Sequence, residues 1–131
     1  MYTCPHCYYK FQINPKSKYQ SVECYVGGVK FQSRLEGRRY AQLLVMQQAG
    51  EIKDLSLQPV FLIQEAVTDP HTNEKLKPIH YRGDFMYVDS TGQKVCEEVK
   101  GFFTDLAKLK LKLVIPRYPD IRFVVLFGKD F

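Results

Sequence analysis

Two strand-like segments joined by a four-residue turn constrain the fold of this chain more than any other feature. IHYRGDFMYVD (residues 79–89) and KVCEEVKGF (residues 94–102) flank STGQ, whose small polar residues favour a reversal of the chain. Together they predict a β-hairpin. If residues whose numbers sum to about 182 are paired across the turn, Asp84 lies opposite Glu98. The hairpin therefore places charged side chains where a strand would often be buried.

A second hairpin and a helix are predicted upstream. SVECYVGGVKF (residues 21–31) has two β-prone runs around a Gly-Gly pair, which supplies the positive φ that a tight turn needs. SRLEGRRYAQLLVMQQAG (residues 33–50) predicts a helix with Ser33 as its N-cap. Glu36 is placed to close a capping box, and Gly50 is placed to end the helix.

The remaining segments complete the order hairpin, helix, three strands, helix, strand. LSLQPVFLIQEAV (residues 55–67) predicts one strand, in which Pro59 indicates an edge or a strand start. TDLAKLKLKLVIPRYPD (residues 104–120) alternates leucine with lysine as a strand would, but its apolar spacing fits a helix equally well. We favour the helix, ended by Pro116. IRFVVLF (residues 121–127) predicts a final, mostly buried strand.

Length and composition indicate one compact domain. With 131 residues, of which 45% are apolar, the chain is long enough for one core and short for two. We predict one domain over residues 21–131, preceded by an irregular N-terminal extension, residues 1–20. The net charge of +5 is concentrated in early and late basic stretches, which favours a polyanionic partner. No apolar run approaches the roughly 20 residues of a membrane-spanning helix, and no secretory signal is recognisable, so we expect a cytoplasmic protein without membrane association.

The segment CEEVKG (residues 96–101) carries the most distinctive charges. Alternate strand residues share a face, so Glu98 and Lys100 point one way and Glu97 points the other, where we expect it to be dispensable. Asp84 and Glu98 repel each other across the hairpin unless positive charge lies between them. A divalent cation such as Mg²⁺, together with Lys100, would resolve that repulsion. The alternative is that these charges form the solvated face of an ordinary edge strand.

Glu36 lies near the middle of the apolar face of the predicted helix. At 100° per residue, Tyr40 and Leu43 lie within about 80° of it, and Leu35 flanks it. We expect its carboxylate to point toward the sheet, although a capping role with Ser33 needs no such direction. The neighbouring Gly37 is unexpected in a helix, where glycine costs about 1 kcal/mol relative to alanine.

The acidic residues and their surroundings resemble a known family. The chain resembles the PD-(D/E)XK nuclease superfamily, whose signature is D-x(n)-(D/E)-x-K. Asp84 matches the first aspartate and, after thirteen intervening residues, Glu98-Val99-Lys100 matches (D/E)-x-K. The motifs GGVKFQSRLEGRRYAQL, GEIKDLSLQPVF, YRGDFMY and EEVKGF are similar to those of small phage and prophage proteins placed in that superfamily near the Holliday-junction resolvases. The resemblance covers roughly residues 22–123.

This resemblance implies an α/β fold with a PD-(D/E)XK, restriction-endonuclease-like core, in which a mixed central sheet is flanked by helices. Asp84, Glu98 and Glu36 would be catalytic carboxylates that hold Mg²⁺ or Mn²⁺, and Lys100 would be the catalytic lysine. Gly83 stands where the signature has its eponymous proline. Because the aspartate does the chemistry, this departure removes no ligand.

Further residues are expected to support the site or bind DNA. Gln58 would reach the site from the first core strand, or be an exposed strand glutamine. The lysines among the basic residues would contact phosphates or form a solvated face, and contacts to phosphates would make the DNA affinity salt-dependent. The expected DNA-binding residues are Arg34, Arg38, Lys108, Lys110 and Lys112.

The N-terminal CPHC has the spacing of half a zinc knuckle. Cys4 and Cys7 would bind Zn²⁺ only with two more ligands, such as Cys24 and His6 or residues of a partner chain. The alternative is a degenerate, metal-free remnant. Cys96 is expected to be a small buried thiol.

Two functions follow from these patterns. The first is a Mg²⁺-dependent endodeoxyribonuclease that hydrolyses DNA phosphodiester bonds, with selectivity for branched DNA left open. The alternative is a non-catalytic DNA-binding module with a zinc-knuckle-like N-terminus. By analogy we expect a homodimer, located in the host cytoplasm if the protein is phage-encoded.

Overall fold

The computed structural model describes residues 2–3, 10–13 and 22–131. Its helices are α1 (Arg34–Gln48) and α2 (Asp105–Val114), with 3₁₀ turns at Ile115–Arg117 and Gly128–Asp130. The strands in this part of the chain are β1 (Tyr2–Thr3), β2 (Lys10–Ile13), β3 (Val22–Val26), β4 (Val29–Phe31), β5 (Ile52–Leu57), β6 (Val60–Gln64), β7 (Val67–Thr68), β8 (Lys75–Leu76), β9 (Ile79–Arg82), β10 (Phe85–Asp89), β11 (Lys94–Val99) and β12 (Ile121–Leu126). Cys4 and Cys7 lie outside the described residues, so zinc binding there stays a prediction.

An antiparallel sheet, β1-β2-β3-β4, precedes the first helix. The predicted hairpin of β3 and β4 is confirmed, and Gly27 and Gly28 at its turn have φ values of +56° and +82°. Strand β2 pairs with β3, with Phe11 opposite Cys24. The expectation that the whole N-terminal extension is irregular is therefore wrong for residues 2–3 and 10–13, because their backbone continues the sheet.

Helix α1 has the predicted start and explains an unexpected glycine. Ser33 is its N-cap, and the Ser33 hydroxyl accepts a hydrogen bond from the Glu36 backbone N–H at 3.2 Å. A Cβ atom added to Gly37 would lie 2.6 Å from the Cys24 Sγ atom. Glycine is therefore required here because α1 lies directly against β3, and close packing outweighs the low helix propensity.

The central sheet has the order β12-β11-β10-β5. Strands β5, β10 and β11 are antiparallel, whereas β11 and β12 are parallel and are connected through α2. Val95 and Val99 of β11 belong to the core beside α1, and Cys96 belongs to a second core with Val114 of α2. The expected α/β architecture, a mixed sheet with a helix on each face, is therefore confirmed.

Two strand segments are broken where the sequence predicted continuity. The single strand predicted over residues 55–67 divides into β5 and β6, because Gln58 has a φ of +50° and Pro59 has no N–H to donate to a ladder. β9 and β10 are likewise separated at Gly83 and Asp84. The breaks lie side by side: the Gln58 N–H donates to the Asp84 carbonyl, and the Gly83 N–H donates to the Pro59 carbonyl, each at 2.9 Å. Thus β6 and β9 form a separate two-stranded sheet.

The C-terminal segment follows the helical interpretation. The Thr104 hydroxyl caps α2 by accepting from the Ala107 N–H at 3.1 Å, and Pro116 lies in the 3₁₀ turn after the helix. Strand β12 is half-buried rather than mostly buried. Neither helix in the described ranges has the length and apolarity needed to cross a bilayer.

Candidate functional site

The predicted partner residues Asp84 and Glu98 meet where β10 begins and β11 ends. The predicted register is confirmed, with Phe85 opposite Glu97. Asp84 lies in the break before β10, where its backbone N–H donates to the Glu97 carbonyl at 2.9 Å. Its Oδ2 atom accepts from the Val99 N–H at 2.7 Å. The strand ladder itself therefore orients the Asp84 carboxylate.

Glu98 is buried, and both of its carboxylate oxygens have partners. Oε1 is 2.8 Å from the Lys100 Nζ atom, and Oε2 accepts from the Tyr81 hydroxyl at 2.6 Å. The predicted shared face of Glu98 and Lys100 is thus confirmed as an ion pair. Sequence reasoning missed Tyr81; its alternation with exposed neighbours in β9 marks it as inward-facing, but nothing local identifies Glu98 as its partner.

Helix α1 brings Glu36 to the same edge of the sheet. Tyr40, one turn after Glu36, stacks on Phe85 with ring centroids 6.0 Å apart, which holds α1 over the start of β10. The pKa of Glu36 is raised to about 7, mainly by burial and then by the nearby negative charge of Asp84, against the opposing effects of Ser33 and Lys100. Glu36 is therefore electrostatically coupled to both Asp84 and Lys100.

The cluster of Glu36, Asp84, Glu98 and Lys100 carries more negative than positive charge. Burial raises the pKa of Asp84, the Val99 N–H opposes the rise, and Glu98 adds to it. Among the described residues, however, no three His, Cys, Asp or Glu side chains stand together as a ready-made metal site. A bound cation would still relieve the excess negative charge of these carboxylates. Glu98, however, is already bound by Lys100 and Tyr81.

A cleft of about 480 Å³ opens beside Glu98 and Lys100, between β9 and α2. Its lining includes the basic side chains Arg82 and Lys110. Lys110 is thus the only one of the five predicted DNA-binding residues that lines this cleft. Because helix positions two apart point about 200° from each other, Lys108 and Lys112 lie away from Lys110.

The other predicted residues are placed differently. The Arg38 guanidinium donates to the carbonyls of Gly128 and Phe131, at 2.8 and 3.0 Å, so it fastens the C-terminus to α1. Arg34 is exposed at the start of α1, and its contact with DNA stays a prediction. Gln58 has an exposed side chain, and its contact with the site is the backbone bond to Asp84.

Glu97 lies on the opposite face of β11, as predicted. Its carboxylate is buried and paired rather than exposed to solvent. Only 2% of its side chain is exposed, and Arg39 donates to both of its carboxylate oxygens at 2.7 Å. The Tyr87 hydroxyl also donates to it. That Glu97 is dispensable for the chemistry of the site stays a prediction, but we expect the fold to need it, because removing one member of the ion pair would leave a buried charge unpaired.

Gly83 and Cys96 are in close contact beneath the site. A Cβ atom at Gly83 would lie 2.4 Å from the Cys96 Sγ atom. A proline there would also lose the N–H that bonds to Pro59. The departure from the signature proline is therefore a packing requirement of this chain, and Cys96 is fully buried, as predicted.

These features define a small α/β protein with a coupled carboxylate–lysine cluster at one edge of a mixed sheet. The chain belongs to the family described as "Protein of unknown function (DUF1064)", whose model matches residues 16–127. No curated protein and no solved structure matches the chain significantly.

Proposed function

We propose that the protein is a Mg²⁺-dependent endodeoxyribonuclease with a PD-(D/E)XK core, which hydrolyses DNA phosphodiester bonds. The observation that carries the proposal is the convergence of Glu36, Asp84, Glu98 and Lys100, from a helix and two neighbouring strands, at one edge of the sheet. Perturbed titratable groups beside a cleft are typical of catalytic sites. The mixed sheet with a helix on each face supports the superfamily assignment.

Charge and donor chemistry favour a divalent metal. Glu36, Asp84 and Glu98 offer hard oxygen ligands. Burial first, and then the negative charge of a neighbouring carboxylate, raises the pKa values of Glu36 and Asp84, and a cation would relieve both effects. These three carboxylates would hold Mg²⁺ or Mn²⁺, with Glu98 exchanging part of its contact with Lys100. Such an ion supplies Lewis acidity and neutralises negative charge on a reacting phosphate.

The protein's own groups have separate tasks. Lys100 presents a compact point charge to the cleft beside Glu98, suited to positioning a phosphate or the attacking water. Tyr81 fixes the orientation of Glu98, and the Val99 N–H fixes Asp84. Arg82 and Lys110 supply positive charge for the DNA backbone along the cleft.

Conservative variants test this proposal. Asp84→Asn, Glu98→Gln and Lys100→Gln should each lower Mg²⁺-dependent cleavage of plasmid and oligonucleotide DNA by about 100-fold or more. Glu65→Gln and Lys53→Gln alter exposed residues and serve as matched controls. Circular dichroism should show that all variants remain folded. Wild-type protein that leaves junction, flap, duplex and single-stranded DNA intact with both Mg²⁺ and Mn²⁺ would sink the proposal.

A non-catalytic DNA-binding module is the second candidate. It is favoured because Tyr81 and Lys100 already bind the two carboxylate oxygens of Glu98. A cluster with these contacts needs no metal to be stable. Metal titration separates the candidates: the nuclease binds Mg²⁺ or Mn²⁺ through Asp84, whereas the module binds stoichiometric Zn²⁺ at the N-terminal site of Cys4 and Cys7 and leaves the acidic cluster empty. The homodimer is part of the nuclease proposal, and sedimentation of the full chain tests it.

A further inference from the structure

Two cavities adjoin along α2 and form one groove. The cleft beside Glu98, of about 480 Å³, is continued by a second cavity of about 450 Å³. Both cavities are lined by His80, Leu106 and Lys110. We call this continuous feature the β9–α2 groove. It leads directly from the carboxylate cluster along the helix.

One wall of the groove is apolar and exposed. Leu106, Leu109 and Leu113 are 61%, 54% and 42% exposed, and their spacing places them in one stripe on α2. They are separate from Leu111 and Val114, which pack in the core beneath the helix. A contiguous exposed stripe of large apolar residues is typical of a surface that is covered by a ligand.

Three basic side chains also line the groove. Arg82, Lys100 and Lys110 line it, and the one acidic residue of its lining, Glu98, is already paired with Lys100 at 2.8 Å. The charges of Arg82 and Lys110 are therefore available for an anionic ligand. A second copy of this chain fits poorly, because a two-fold contact through this groove would bring Arg82 and Lys110 of each copy toward those of the other.

We infer that the β9–α2 groove binds an unpaired DNA strand and delivers it to the carboxylate cluster, so that the nuclease acts on single-stranded or locally unpaired DNA. This inference rests on the proposed function. An unpaired strand presents both phosphates, for Arg82 and Lys110, and uncovered base faces, for the leucine stripe. In a duplex the base faces are stacked away from such a wall.

Binding without cleavage tests the inference. Fluorescence anisotropy in EDTA compares a labelled oligothymidylate with a duplex of the same length. Wild-type protein should bind the single strand at least about 10-fold more tightly, and Lys110→Gln and Leu109→Gln should each weaken that binding about 5- to 10-fold. Lys53→Gln, on β5 and outside the lining of this groove, and Val45→Gln, on the exposed side of α1, should leave it unchanged.

Three results would overturn the inference: tighter or equal binding of the duplex, equal losses from Lys110→Gln and Lys53→Gln, or a Leu109→Gln variant that dissociates a dimer in sedimentation while retaining DNA affinity. The last result would make the groove a protein interface. Selective binding of the single strand by a protein that never cleaves DNA would reject the nuclease and retain the groove. Cleavage of single-stranded and duplex DNA without preference would retain the nuclease and reject the groove as a site for an unpaired strand.

Discussion

Arg39 of α1 donates to both carboxylate oxygens of Glu97 in β11, from the face of the sheet opposite Glu98. Both side chains are largely buried, with 15% and 2% exposed. Because Glu36 lies three residues before Arg39 on α1, the ion pair also fixes Glu36 relative to the strand that carries Glu98 and Lys100. A contact on one face of the sheet therefore positions a group of the candidate site at its edge.

Breaking this ion pair should destabilise the protein strongly. Arg39→Met leaves Glu97 buried and charged, so the free energy of unfolding should fall by about 3–5 kcal/mol in urea denaturation. The double variant Arg39→Met/Glu97→Leu should be more stable than the single variant, because it removes the orphaned charge. If the losses of unfolding free energy from Arg39→Met and Glu97→Leu simply added in the double variant, the two side chains would not be coupled, and the stabilising role of the ion pair would be contradicted.

The raised pKa of Glu36 should make stability fall as the pH rises. Its pKa of about 7 in the folded protein lies above the ordinary value of 4.5, so the folded state binds more protons between these values. In EDTA, Glu36→Gln should therefore be more stable than wild type at pH 8, and this advantage should shrink as the pH falls toward 4.5. Urea denaturation across this range measures it, with Glu65→Gln as control. An advantage independent of pH would refute the assignment.

Removing the Tyr81 hydroxyl should impair the site while leaving the fold intact. Tyr81→Phe takes away the donor to Glu98 Oε2, and loss of such a supporting bond typically costs about 10- to 100-fold in metal affinity or activity. Both the cleavage rate and calorimetric Mg²⁺ affinity should fall. The control is Tyr118→Phe, which removes a hydroxyl bonded to the Leu62 carbonyl in the same core. Equal effects of the two substitutions would assign Tyr81 a role in packing only.

Gly83→Ala should be destabilising because its Cβ atom would overlap the Cys96 sulfur. We expect a loss of about 1–3 kcal/mol in the free energy of unfolding, partly restored by Cys96→Ala in the same chain. Gly101→Ala is the matched control, since a Cβ atom there meets nothing within 4 Å. Thermal denaturation of the three variants measures these differences, and a Gly83→Ala protein as stable as Gly101→Ala would contradict the packing argument.

Much of the local structure was predictable. Three features depend on interactions between residues close in sequence. They are the helix caps at Ser33 and Thr104, the glycine turn before β4, and the hairpin register that pairs Asp84 with Glu98. Period-two geometry likewise predicted the shared face of Glu98 and Lys100. The break at Gln58 was missed because a left-handed φ at a glutamine is rare and is stabilised here by a bond to Asp84, twenty-six residues away.

The sequence by itself determined the two helices, the hairpin of β3 and β4 and the register of the central hairpin, because these follow from periodicity, capping and turn chemistry. The tertiary structure decided which charges are used together. It paired Glu97 with Arg39, gave Glu98 the Tyr81 hydroxyl and brought Lys110 alone of the helix lysines into the groove. These contacts join residues far apart in the chain, and no local pattern specifies which distant partner a buried carboxylate will meet.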